Sequence, residues 1–107
     1  VYKRQGVAKK ILHTNELKEF NKKAKDQTIF LAKKFAFKEA FVKALGTGFR
    51  EPYYLDRIEI IKDNLGKPSV VTHEEAKKEF KNLGITKAHV SLSDTENYVV
   101  AFVVLET

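Results

Sequence analysis

Apolar residues recur at helical spacing through the first half of this chain and at strand spacing through most of the second. Leu17 and Phe20, three residues apart, predict a short helix over residues 15–25, with Thr14 as its N-cap. Asp26-Gln27-Thr28 breaks that pattern, and a longer helix is predicted over 29–45. Gly46 ends it, because glycine enters the left-handed conformation without a side-chain penalty. R-I-E-I-I-K, at 57–62, is rich in β-branched residues and predicts a strand. D-N-L-G-K-P is a turn, and 69–71 returns as a second strand. Thr72 with Glu75 three residues later is a capping box, predicting a helix over 73–83 with Ala76, Phe80 and Leu83 on one face. Residues 87–93 alternate, with Ala88, Val90 and Leu92 on one side; 94–97 form a loop. Residues 98–105 (Y-V-V-A-F-V-V-L) are apolar on both faces, which predicts a central strand covered on both sides.

This order of elements predicts an α+β fold, a single domain of helices packed on a mainly antiparallel β-sheet. Residues 1–5 carry no capping signal and read as a fragment edge or non-native scar, leaving 6–107 as the domain.

One helix breaks its own pattern. At about 100° per residue, Leu45, Leu31, Val42 and Phe35 of F-A-F-K-E-A-F-V-K-A-L-G-T-G and its upstream turn form an apolar arc, and Lys38 falls inside it. A lysine there is costly unless an anion pairs with it, or unless its head snorkels to water over a buried stem. Glu39 lies at the edge of the arc, one turn before Lys43. As an exposed i, i+4 pair these two are worth only about 0.3–0.5 kcal/mol. As a functional group they read differently. A carboxylate can hold Mg²⁺ together with ligand phosphates and waters, and a lysine one turn on can neutralise a phosphate. The Gly46-Thr47-Gly48 turn offers backbone N–H groups with little bulk around them.

The charge balance agrees with an anionic partner without selecting one. Net charge is +6, supplied mostly by dispersed lysines, and suits nucleic acid, phosphorylated ligands or an acidic protein. The absence of cysteine excludes disulfides, thiolate metal sites and a cysteine nucleophile. His13, His73 and His89 lie far apart in sequence, without local ligand spacing. No apolar run reaches membrane-spanning length and no signal-peptide pattern appears, so a soluble, cytoplasmic protein is expected.

The helix F-A-F-K-E-A-F-V-K-A-L-G-T-G resembles the signature helix of bacterial 4′-phosphopantetheinyl transferases of the holo-acyl-carrier-protein synthase type. K-K-I-L-H-T-N-E-L, D-N-L-G-K-P and H-V-S-L-S-D-T-E-N-Y match the same family in the same order, from about Lys9 onward. The resemblance implies transfer of the 4′-phosphopantetheine arm from coenzyme A to a serine of an acidic acyl carrier protein, with Mg²⁺, releasing adenosine 3′,5′-bisphosphate. It implies that Glu39 binds the metal, that Lys43 meets a coenzyme A phosphate, and that Lys38 acts electrostatically beside Glu39. It places Gly46, Thr47, Pro68, His89 and Lys34 near coenzyme A, with Lys25 in reach of its 3′-phosphate. Phe35 matches the motif's aromatic and reads as core packing. Lys34 stands where many members carry Arg, replacing a planar fork by a point charge. The resemblance also implies a homotrimer with the active site between subunits.

The family opens on a strand with G-x-D, whose aspartate is a second metal ligand, and on a basic carrier-docking helix. Gly6 has no aspartate nearby, so the chain as given is expected to hold Mg²⁺ weakly and turn over poorly. Two other readings compete. One is a non-catalytic basic module binding nucleic acid, with Tyr53 and Tyr54 as stacking groups. The other is a carrier-protein-binding remnant without activity. Glu39 between two lysines argues against the nucleic-acid surface.

Overall fold

The computed structural model describes residues 2–95 and 98–107, with side chains from residue 6 onward. Helix α1 spans Tyr2–Ile11, α2 Thr14–Lys22 and α3 Gln27–Leu45. A 3₁₀ turn, Leu55–Arg57, leads into strand β1, Ile58–Lys62. Strand β2 (Pro68–Thr72), helix α4 (Glu74–Asn82), and strands β3 (Lys87–Asp94) and β4 (Val99–Glu106) follow. The strands form two antiparallel ladders, β1–β2 with Ile60 opposite Val70 and β3–β4 with Val90 opposite Val103. The α+β architecture read from the sequence is therefore present.

Helix α3 is the spine. One side carries Phe37, Phe41 and Val42 into a core with Tyr53, Ile58, Ile60, Ala76 and Val90. Another carries Phe30 and Leu31 into a second cluster with Ala8 of α1, Leu12 of the link that follows it and Phe20 of α2. A helix that faces two cores has to be apolar on two sides, which is why its sequence lacks a single stripe.

Residues 2–5 are helical backbone at the start of α1. Four details differ from the sequence reading. The cap of α2 is His13 rather than Thr14: its imidazole accepts the Asn15 N–H, and Glu16 accepts the His13 N–H. The capping box at Thr72 does not form. Thr72 is the last rung of β2, opposite Ile58, so α4 starts later with His73 as an N-cap whose side chain makes no cap bond. Phe35 is not a core residue; it is exposed and packs against Phe49. Strand β4 is covered on one side only, burying Ala101, Val103 and Leu105 toward the core while Val100, Phe102 and Val104 are exposed. Of the predicted 94–97 loop, residues 96 and 97 lie outside the described residues.

Gly46 closes α3 with φ 79°, and no neighbouring atom lies within 4 Å of where a Cβ would stand. Its requirement is therefore conformational rather than steric. Gly46→Ala is expected to cost about 1–2 kcal/mol, the left-handed penalty of an L-residue, measured by urea denaturation. A loss near zero would mean that the helix end re-forms without that conformation.

Candidate functional site

Local folding sorts the lysines of α3 into inward and outward groups. Lys38 is fully buried. Its ammonium donates to the Ile11 carbonyl at 2.7 Å, to Glu16 Oε1 at 2.6 Å and to the Leu55 carbonyl at 2.9 Å, which uses all three of its hydrogens. The anion that a lysine at an apolar position demands is thus a carboxylate of the same chain. The expected electrostatic role of Lys38 beside Glu39 is corrected on this geometry: no N–H is left to face a ligand. Burial pushes its pKa down, and the Glu16 carboxylate opposes that.

Lys34 is also turned inward. It donates to the Ile60 carbonyl at 2.8 Å, stands 5.1 Å from the centre of the Phe30 ring, and lies 4.0 Å from Glu16. Burial lowers its pKa too, again against Glu16. That bond ties α3 to β1, and Lys34 also lines the cleft that Pro68 borders.

Glu39 and Lys43 point outward. Their side chains are 47% and 74% exposed and their charged atoms are 3.9 Å apart. That spacing leaves both heads free to turn toward a ligand. The turn beside them behaves differently from the reading of it as an N–H donor. The Gly46 N–H donates to the Lys43 carbonyl, and those of Thr47 and Gly48 to the Val42 carbonyl. Three N–H groups that were expected to hold an anion instead cap the helix, so Gly46 and Thr47 shape the rim of the site without donating from the backbone.

The remaining candidates lie elsewhere. Pro68 lines a cleft of about 690 Å³ between the α2–α3 side and the β1–β2 hairpin, together with Lys23, Lys33 and Lys62. Lys25 is exposed in the segment between α2 and α3. His89 is exposed on β3, hydrogen-bonded to Glu106 of β4. Within one chain the candidates therefore lie in several places rather than in one pocket. Tyr53, considered as a stacking group, has no exposed surface. Burial and then the Glu79 carboxylate push its hydroxyl up to about 12. This removes the Tyr53–Tyr54 pair on which a nucleic-acid face rested.

Sequence reasoning missed Glu16, His13, Glu59 and His73. Glu16 is 2% exposed and, besides Lys38, accepts the Ile60 N–H at 2.8 Å. The buried lysine's need of a counter-charge was legible, but Glu16 stands three residues after His13, a cap the sequence did not reveal. The two histidines are 60 positions apart in sequence, and only the fold stacks them.

Residues 2–103 match the 4′-phosphopantetheinyl transferase superfamily. A holo-[acyl-carrier-protein] synthase of Dechloromonas aromatica is 44% identical over 108 residues, covering 99% of this chain and 85% of that protein. The crystal structure of holo-[acyl-carrier-protein] synthase from Neisseria meningitidis superposes with TM-score 0.89 at 43% identity, covering 96% of this chain and 82% of that one. That of a Bacillus anthracis holo-(acyl-carrier-protein) synthase, in complex with CoA (3′,5′-ADP), superposes with TM-score 0.77 at 34% identity, covering 95% and 81%. Among the described residues, no helix is long and apolar enough to cross a membrane.

Removing one member of the buried pair leaves the other charge without its partner. Lys38→Met and Glu16→Gln are each expected to cost about 3–5 kcal/mol. The double variant keeps an acceptor for the Ile60 N–H and should lose clearly less than the sum in a denaturation cycle. Strict additivity would show that the two groups are not coupled.

Proposed function

The chain belongs to the 4′-phosphopantetheinyl transferase superfamily, and on that premise we propose that it moves the phosphopantetheine arm of coenzyme A onto a serine of an apo-acyl carrier protein. The observation that carries this reading is the outward pair Glu39–Lys43, standing at the end of α3 in the motif K-E-A-F-V-K-A-L-G-T-G, in a fold shared along nearly the whole chain with holo-acyl-carrier-protein synthases.

In this reaction the serine oxygen forms a bond to the phosphorus that carries pantetheine. The bond from that phosphorus to the bridging oxygen breaks, and adenosine 3′,5′-bisphosphate leaves with that oxygen. The serine proton must go to a base. Glu39 is half-exposed and within reach of an incoming group, so it is assigned that proton or a metal contact. Lys43 supplies a flexible positive charge for a phosphate oxygen.

Mg²⁺ fits the donor set as one carboxylate completed by phosphate oxygens and waters, and Glu39 would hold it. When bound, the ion supplies charge neutralisation on the diphosphate. Thr47 and Gly46 form the rim, and Pro68, His89 and Lys25 are assigned to coenzyme A. Lys38 acts by holding α3 in place, and Lys34, which ties α3 to β1 beside the Pro68 cleft, is assigned to coenzyme A with Pro68.

A homotrimer with shared sites accounts for two features of the single chain. The candidate residues lie in several places, and β4 presents Val100, Phe102 and Val104 as an exposed apolar stripe, Phe102 being 64% exposed. Burying such a stripe against a second copy is favourable by about 25 cal/mol per Å² of apolar surface removed. The positive net charge suits an acidic carrier and would mainly raise the encounter rate. The reaction is assigned to the cytoplasm.

The reading is checked by incubating the protein, with and without a G-x-D strand joined ahead of it, with coenzyme A, Mg²⁺ and apo-acyl carrier protein. Mass spectrometry should show the carrier gaining one phosphopantetheine. Glu39→Ala should lower metal-dependent turnover by at least about 100-fold while circular dichroism stays unchanged, a loss in the usual range for a positioned acid–base group. Full activity of that variant would overturn the assignment. Phe102→Glu should shift the protein from trimer to monomer in light scattering; a monomeric parent would reject the assembly.

A further inference from the structure

His13, His73 and Glu59 come from three different elements and meet in one place. His13 caps α2, Glu59 lies on β1 and His73 caps α4. The two imidazole rings stack at 3.9 Å between centroids, with 10° between their planes. Glu59 Oε1 lies 2.8 Å from His73 Nε2 and 3.7 Å from His13 Nδ1. One ligating atom from each residue lies within 4.8 Å of the others. We propose that His13, Glu59 and His73 form a three-donor site for a borderline divalent transition cation of the Zn²⁺ class, clamping the start of α2 to β1 and the start of α4.

Two imidazoles and a carboxylate are the donor types Zn²⁺ takes, at about 2.0–2.2 Å each, which sets donor atoms about 3.3–3.5 Å apart around a tetrahedron. The separations to Glu59, 2.8 Å and 3.7 Å, bracket that value. Glu59 is buried and both histidines are partly exposed, so the anion is fixed and the neutral donors can move. Stacked parallel rings do not aim two lone pairs at one point, so loading requires one ring to rotate. His73 has the freedom to do so, because its side chain makes no cap bond and is the more exposed of the two. His13 would exchange its bond from the Asn15 N–H, 3.2 Å long, for the metal.

The surroundings suit the site. Asn15 Nδ2 donates to Glu59 Oε1 at 3.4 Å and holds the carboxylate from outside the ligand set. A surface cavity of about 450 Å³ is lined by both histidines with Leu12, Leu17, Asp56 and Arg57, giving a way in and room for a water as fourth ligand. Among the cations around it, Arg57 pairs with Glu74 and Asp56 and Lys38 with Glu16, while Lys9 also borders the cavity. Burial and the neighbouring His73 push the His13 pKa down, favouring the neutral imidazole that a metal requires. Mg²⁺ prefers an all-oxygen shell and is not expected here, so this site is independent of the one assigned to Glu39.

The test titrates the chelator-treated full chain with ZnCl₂ by calorimetry, and with Co²⁺ by visible absorption. The expected result is saturation at one equivalent, the strong absorption of four-coordinate Co²⁺, and a higher melting temperature with Zn²⁺. His13→Ser keeps an N-cap residue, and His73→Asn alters a side chain that makes no cap bond. Each should weaken Zn²⁺ binding by more than about 100-fold, beyond the roughly 10–100-fold that loss of an outer-shell partner typically costs. His89→Asn should leave it unchanged. The proposal is overturned if the parent takes up no Zn²⁺, if the His13 and His73 variants bind as the parent does, or if removing His89 abolishes binding.

Discussion

A single buried carboxylate organises this molecule. Glu16 closes the first turn of α2 by accepting the His13 N–H, receives the Ile60 N–H of β1, and pairs with Lys38 of α3. Lys38 in turn holds the last carbonyl of α1 and the Leu55 carbonyl before β1. Five segments are tied by two side chains. An ion pair this deep contributes little net stability against a packed apolar pair, since both charges must be desolvated. What it supplies is position: the bonds run to named backbone atoms, so they fix how α1 and α2 sit on α3 in a way that two apolar clusters alone would not.

The two clusters explain the rest of the architecture. The larger one gathers α3, α4 and one face of each hairpin, and the smaller one lies under α1 and α2. Between them runs the polar seam of Glu16, Lys34 and Lys38. The lysines of α3 on this seam point in, while Glu39 and Lys43 point out. A helix wheel gives each residue's angle, but the direction of burial belongs to the partners that surround the helix.

Much of this was legible beforehand. Strand alternation in 87–93, the β-branched run at 57–62 and the glycine after Leu45 each set their elements to within a residue or two. Lys38 was also readable as a lysine needing an anion. Its partner was not, because it lies 22 residues away in a helix whose own pattern shows only Leu17 and Phe20. The cap at His13 was hidden because imidazole is an unusual cap, and the adjacent Thr14 looked better. The run 98–105 misled because apolar residues on two faces imply cover on both, and one chain covers only one. The backbone donors at 46–48 misled because a turn that ends a helix must first satisfy that helix's own carbonyls.

Lys38 and Glu39 share a peptide bond yet face opposite ways, one into the protein and one into solvent. The inward neighbour grips the terminal carbonyl of α1. The position of Glu39 is therefore tied to the end of α1 through the buried Lys38 side chain and one peptide bond.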